Sequence, residues 1–288
     1  MEFLKQELPG NIRLETPACL SIAGSDSGGE AGIQADLQTF NDFDCHGLNA
    51  ITANTAQNRH KVISLNPSSN QALQDQIAAV ESFFSPKFVK TGLISSLEQL
   101  QIIASYTQEK KTVIDPVLKA SSGKSFLSNE LREKFLQLFL KAENTITPNF
   151  DELCWLLNEP TNTNLPDIIS KAHRLLKDSK VSIFLKGGHT EDKNTDFLIT
   201  NKHIIKYNSP LIHNIGSSHG TGCRISSGIC AALAKGYNLI DACQLAKNYV
   251  YHTLATNNLS NQQFVMHSPG KVSGLDMKVT YQEFKNDR

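Results

Sequence analysis

The sequence carries no excess of either charge: 28 Lys and Arg balance 28 Asp and Glu over 288 residues, a formal net charge of zero with histidine neutral. A domain built to hold a phosphate backbone has a marked basic surplus, so nucleic acid is excluded as the main partner. A small anionic ligand is not excluded, because it needs only a few donors in one pocket. No run approaches the roughly 18 apolar residues of a membrane span. The start of the chain mixes Glu2, Lys5, Glu7, Arg13 and Glu15 with apolar residues and so lacks the core of a signal peptide. The six cysteines (Cys19, Cys45, Cys154, Cys223, Cys230 and Cys243) form no Cys-x-x-Cys pair. Reduced thiols and a cytoplasmic location are therefore expected. There is no His-Glu-x-x-His, and the nine histidines are dispersed. His213 and His219, six apart, do not have a metal-ligand spacing.

What is present is ordinary globular material, 40% hydrophobic. Its length predicts one large domain or two small ones. No internal repeat or low-complexity linker divides it, so the expected organisation is an extension over residues 1–16 followed by one domain over 17–288. Short β-rich runs alternate with amphipathic helical patterns. Cys19–Ala23 is an apolar run that stops at Gly24. Phe88–Thr91, Val113-Ile114, Asn144–Thr147 and Ile183–Leu185 read the same way. Between them, spacings of three and four place Leu73, Ile77, Val80 and Phe84 on one stripe, and Leu131, Phe135, Leu138 and Phe139 on another. Ile225, Gly228, Ile229, Ala232 and Leu233 share a face that Gly236 ends. Ala242, Leu245, Ala246, Tyr249 and Val250 share another. Phe197–Thr200 and His203–Tyr207 read as a hairpin, and the polar tail after Asn257 as partly loose. Such alternation predicts an α/β fold, a mainly parallel sheet with helices on both faces, and places the ligand at the carboxyl ends of the strands.

Three segments near such ends carry chemistry. Gly24-Ser25-Asp26-Ser27-Gly28-Gly29-Glu30-Ala31-Gly32 precedes a helix start at Ile33–Leu37. Its spacing fails the dinucleotide fingerprint, since Asp26 stands where the second glycine is required. The loop is either a ligand cradle or only a tight connection. Gly123-Lys124-Ser125 lacks the earlier glycine of a P-loop, because position 118 is Leu118. The strongest feature is Gly216–Cys223, ending in His219-Gly220-Thr221-Gly222-Cys223 before an apolar-periodic helix. Consecutive N–H groups there converge on one anion with the helix dipole behind them. The same field lowers a thiol pKa and favours a Cys223 thiolate, unless Cys223 is simply a small buried residue at a helix start. Asn149 and Glu152 have capping-box spacing, and Glu152 either only caps a helix or also organises Mg²⁺ through water. Lys186-Gly187-Gly188-His189 ends a strand, and its lysine either reaches a phosphate or is solvated at a turn.

In order along the chain these segments resemble the hydroxymethylpyrimidine/phosphomethylpyrimidine kinases of thiamine biosynthesis, in the ribokinase-like superfamily. The resemblance rests on Ala23–Asp26, Ala31–Leu37, Ile51–Ala53, Ala56–Asn58, Lys90–Leu93, Asp115–Val117, Ser122-Gly123, Thr147–Asn149, Lys186–His189 and His219–Cys223, and runs from about Cys19 to Leu254. It implies a three-layer α/β/α fold and an ATP- and Mg²⁺-dependent kinase acting on a hydroxymethyl aminopyrimidine, then on its monophosphate. A homodimer is implied too. It makes Cys223 the catalytic base and Gly220, Thr221 and Gly222 the anion hole. Gly24, Asp36, Gln57 and Leu93 take the pyrimidine side, with Gln57 reading the ring edge. Asp115, Asn149 and Lys186 take the ATP side, and Glu152 the metal side.

The sequence departs from the family loops at Glu30, where glycine is usual, and a charged side chain there is expected to crowd the pocket or repel a substrate phosphate. Leu93 and Leu118 replace methionine, both volume-conserving changes. Arg224 follows the cysteine where a small or polar residue is usual, and either contacts phosphate or is solvated. Competing readings are a pyridoxine/pyridoxal kinase of the same fold, a non-catalytic pyrimidine-binding homologue, and a cysteine hydrolase using Cys223 with His219.

Overall fold

Alternation along the first strand sets the layers. In β1 (Ala18–Asp26), Leu20 and Ile22 enter one apolar core, while Cys19 enters the other. The structure, a computed structural model, describes residues 16–58, 60–117, 129–140, 143–187, 194–213, 218–259 and 268–285. Leu118, Gly123-Lys124-Ser125, Gly188, His189, Gly216 and Ser217 lie outside them, as does most of the expected N-terminal extension.

The strands are β1, β2 (His46–Asn58), β3 (Lys61–Pro67), β4 (Phe88–Thr91), β5 (Lys111–Ile114), β6 (Thr145–Ile146), β7 (Ser182–Leu185), β8 (Thr195–Ile199), β9 (His203–Asn208) and β10 (Thr280–Lys285). They form one sheet in the order β10-β9-β8-β7-β6-β5-β4-β1-β2-β3. The pairs from β2 through β1, β4, β5 and β6 to β7 are parallel. The outer pairs β2–β3, β7–β8, β8–β9 and β9–β10 are antiparallel. The first core packs α2 (Asn70–Phe84), α3 (Leu97–Tyr106), α4 (Asn129–Phe139), α5 (Phe150–Leu157) and α6 (Leu165–Leu175) on one face. The second packs α1 (Gly32–Asp42), α7 (Thr221–Ala234) and α8 (Leu239–Leu259) on the other. This is the expected α/β/α sandwich.

The expected strands, stripes and the β8–β9 hairpin are present, apart from Leu131, whose side chain lies outside the described residues, and with three differences. The first strand continues through Gly24 to Asp26 instead of stopping at Gly24, because Gly24, Ser25 and Asp26 pair with Ala53, Asn54 and Thr55 of β2. The long β2–β3 hairpin has no clean alternation on its solvent side, and periodicity gives it no signal. The tail after Asn257 contributes β10, recruited through pairing with β9 over Thr280–Lys285.

Order reverses between β1 and β4, since the chain leaves β1 for β2 on one side and reaches β4 on the other. Such a switch point opens a crevice at the strand carboxyl ends. Beneath it lies a fully buried ion pair: Lys90 Nζ of β4 donates to both oxygens of Asp36 of α1, at 2.9 and 2.8 Å. Ser21 of β1 and Ser227 of α7 each donate a hydroxyl to the same carboxylate at 2.5 Å. Removing one partner leaves an uncompensated buried charge. Asp36→Asn or Lys90→Met is therefore expected to destabilise the protein by about 3–5 kcal/mol. Urea unfolding measures this, and a loss below about 1 kcal/mol would mean that the pair is replaceable by simple packing.

Candidate active site

The crevice holds a cavity of about 310 Å³ whose wall is drawn from five strand ends and the start of α7. Gly24–Asp26 come from β1, Lys90 and Gly92 from β4, Asp115 from just beyond β5, Asn149 and Glu152 from beyond β6, and Lys186 from beyond β7. Gln57, Val62 and Leu65 of the β2–β3 hairpin close one side, with His219, Gly220, Gly222 and Cys223 opposite.

On one side, Gly24 packs closely against Leu93, whose Cδ2 would lie 2.9 Å from a Cβ at that position. Asp26 folds the glycine-rich turn over itself. Its carboxylate accepts the amides of Gly28, Glu30 and Ala31 at 2.7, 3.2 and 2.9 Å, and His219 Nε2 lies 3.6 Å away. Burial raises the Asp26 pKa, but hydrogen bonds from His219, from the Gly28 and Ala31 amides and from the Gln57 side chain outweigh it and hold the carboxyl well below the usual range. Gln57 thus sits in the cavity wall with its side chain on Asp26.

On the other side, Lys186 Nζ donates to Asp115 Oδ1 at 2.8 Å and stands 3.7 Å from Glu152 Oε2. Burial works against its charge, but Asp115 and Glu152 keep the Lys186 pKa above the ordinary lysine value. Asn149 and Glu152 form the capping box foreseen: Asn149 N–H donates to Glu152 Oε2 at 2.7 Å, and Glu152 N–H to Asn149 Oδ1 at 2.8 Å. Capping does not remove Glu152 from the site, because it also lines the cavity. Among the described residues no group of three or more His, Cys, Asp or Glu is placed to hold a metal ion. Two carboxylates beside a lysine fit Mg²⁺ that arrives with phosphate oxygens and waters completing its shell.

Between the two sides, α7 begins at Thr221 without a side-chain cap, and Gly220 enters it at φ +80. Thr221 lies in the turn but not on the cavity wall, and its hydroxyl donates to Ser218 O at 2.8 Å. The turn is held from below, where Ser226 donates to Gly222 O at 2.9 Å. Ser226 also shares a hydrogen bond with Thr147 at 2.7 Å.

Four expectations need correction. Asp36 does not line the pocket: it is fully buried beneath the floor, and the member of the pair that borders the cavity is Lys90, itself fully buried, to which the family motif gave no role. Arg224 neither faces phosphate nor is solvated, because Glu30 O and Gln38 Oε1 accept its guanidinium in the interior. The Cys223 thiol is pushed above its ordinary range, not below it. Burial contributes most; Lys90 pulls the other way, Asp36 and Asp115 reinforce burial, and the Gly32 backbone opposes it. Glu30 is buried outside the cavity wall.

Lys90 and Asp26 were legible in principle. A lysine inside an apolar strand demands a buried carboxylate partner. An aspartate opening a glycine turn caps the amides that follow.

In fold, the chain is a ribokinase-like kinase. The pyridoxal kinase from Staphylococcus aureus, solved in complex with AMP-PCP and pyridoxal, matches it with a TM-score of 0.77 at 23% identity, over 93% of this chain and 99% of that one. At that identity the likeness shows the fold alone. A profile of the phosphomethylpyrimidine kinase family matches residues 26–268. The Bacillus subtilis (strain 168) hydroxymethylpyrimidine/phosphomethylpyrimidine kinase is 36% identical over 236 residues, 80% of this chain and 86% of that protein. The crystal structure of phosphomethylpyrimidine kinase from Clostridium difficile 630 matches with a TM-score of 0.68 at 32% identity, over 81% and 99% of the two chains. The chain belongs to the phosphomethylpyrimidine kinase family; it is a kinase.

With Lys90 as its main stabilising charge, a Cys223 thiolate forms only as pH rises beyond the ordinary thiol value. Iodoacetamide labelling of Cys223, followed by peptide mass, is expected to accelerate up to and past pH ~8.5. A plateau reached by about pH 7.5 would mean that the helix-start field prevails over burial.

Proposed function

We propose that the protein phosphorylates 4-amino-5-hydroxymethyl-2-methylpyrimidine with ATP, and then the resulting monophosphate, in thiamine biosynthesis. The observation that carries this reading is that one cavity brings together Gln57, Cys223 with Gly220 and Gly222 of its turn, and Lys186 with Asp115. These are the groups needed to hold a ring, a migrating phosphoryl group and a nucleotide.

In this reading Gln57 exchanges its contact with Asp26 for the pyrimidine edge, using an amide that both donates and accepts. Gly24 lets the ring lie against Leu93. The hydroxymethyl arm then points at Cys223, whose thiolate accepts the hydroxyl proton as the oxygen bonds to the γ-phosphorus of ATP and the bond from that phosphorus to ADP breaks, ADP leaving. A base whose pKa is raised is stronger but scarcer, so the rate follows the thiolate fraction. As charge spreads over the phosphoryl oxygens, the fixed amides of Gly220–Cys223 meet it without reorganising. Lys186 steps from Asp115 toward the phosphates, and Asn149 borders the nucleotide. Asp115 and Glu152 would hold Mg²⁺, which when bound offsets phosphate charge. Because Glu30 stays off the wall, nothing at that position blocks the monophosphate, and both steps stay in the proposal. A thiol at the centre of the chemistry requires a reducing compartment, in keeping with the cytoplasm. A homodimer is the assembly that the family resemblance supports.

The cysteine hydrolase loses its main support, since His219 stands against Asp26. Pyridoxal kinase is the remaining second reading, through the shared fold. The test is incubation with ATP, Mg²⁺ and either the pyrimidine or pyridoxal, with product masses read. Mono- and diphosphorylated pyrimidine at rates well above those for pyridoxal are expected, and a pyridoxal preference would overturn the choice. Cys223→Ala is expected to bind the pyrimidine nearly as well while turning over ~10²-fold or more slowly, the usual worth of a general base. Near-normal turnover in that variant would remove Cys223 from the mechanism.

A further inference from the structure

The two loops facing each other across the cavity mouth are pinned together by one side chain. Arg224, in the first turn of α7 directly after Cys223, is the largest fully buried side chain among the described residues. Its Nη1 donates to the main-chain oxygen of Glu30 at 2.7 Å, and its Nη2 to Gln38 Oε1 at 2.8 Å. Its own amide donates to Gly220 O at 3.1 Å. Gly220 is wedged between these groups: a Cβ there would lie 2.0 Å from Glu30 O and 2.8 Å from Arg224 Nη1. Glu30 is fixed from its other side, where its amide donates to Asp26 Oδ2 at 3.2 Å. The turn at 26–31 and the turn at 219–223 are thus joined through Arg224 and the main-chain oxygen of Glu30, 194 residues apart.

A guanidinium costs several kcal/mol to bury, so a merely space-filling role would favour an apolar side chain. What the guanidinium adds is a planar fork that fixes two acceptors in one orientation, which an ammonium cannot do. The acceptor at its centre is a main-chain oxygen, so the pin sets backbone position and does not depend on what side chain residue 30 carries.

We propose that Arg224 is a positioning residue for phosphoryl transfer: by clamping Glu30 O over Gly220 it holds the amides of 220–223 at a fixed distance from the acceptor hydroxyl. This rests on the kinase reading above. It also gives Arg224 and Gln38 a role in the rate, although neither lines the cavity.

The test is steady-state kinetics on the purified full-length protein and its Arg224→Met, Arg224→Lys and Gln38→Leu variants, with the pyrimidine and ATP varied separately. Amide exchange over 219–223 is followed by mass spectrometry. Arg224→Met is expected to lower kcat ~10²-fold, the scale of a misplacement near 1 Å, while both KM values move less than about threefold. Arg224→Lys, keeping the charge but one contact, should fall between wild type and Arg224→Met, as should Gln38→Leu. Exchange at 219–223 should quicken in the order of the kcat losses. If Arg224→Met does not fold, Gln38→Leu, which leaves the cation and its Glu30 bond in place, carries the same two readouts. Unchanged kcat in a folded variant, or kcat and KM worsening together in step with unfolding midpoints, would overturn the proposal. Should the wild type make no phosphorylated pyrimidine, the kinase reading fails. The exchange measurement then still decides whether Arg224 holds the turn, and an unchanged rate there overturns the clamp.

Discussion

A lysine and an aspartate with no access to water hold the centre of this molecule. Asp36 comes from α1, Lys90 from β4, and the two serines that complete the carboxylate come from β1 and α7. Both oxygens of Asp36 are fully engaged, the condition under which a buried pair repays the cost of leaving water. Four elements are thereby fixed to one point directly under the switch between β1 and β4, and the cavity is the space above that point. The second apolar core surrounds the pair, so any slip of α7 against the sheet would leave a charge stranded in hydrocarbon.

That geometry also sets the electrostatics above it. Lys90, with its charge largely answered by Asp36, is the nearest influence favouring a Cys223 thiolate, and it does not offset burial. Lys186 is likewise answered by Asp115 and Glu152. Each of these lysines has a carboxylate partner, and at the start of α7 the Thr221 amide donates back to Ser218 O. The lysines lining the cavity are therefore paired with carboxylates around them.

Much of the fold was legible along the chain because its signals are local. The stripe Leu73, Ile77, Val80 and Phe84, the capping pair Asn149 and Glu152, and the stop at Gly236 each depend on residues within a few positions of one another. The hairpin through Asn201 and Lys202 follows for the same reason. β10 was illegible because a strand added to an edge owes its existence to the partner β9, not to its own alternation. Asp36 was misplaced for a related reason. Its motif fixes its position in α1, but only a lysine 54 residues away decides that it faces inward and downward.

The amino-acid order alone therefore determined the alternating architecture, the glycine turns at the strand ends and the family to which the loops correspond, since these are properties of short stretches and of their succession. Tertiary structure alone decided which charges meet. Lys186 finds Asp115 across 71 residues, and Arg224 finds Glu30 across 194. It also decided that the Cys223 thiol is harder, not easier, to ionise. Helix-start fields are legible in sequence, but desolvation depends on everything folded around the group, and here desolvation is the larger effect.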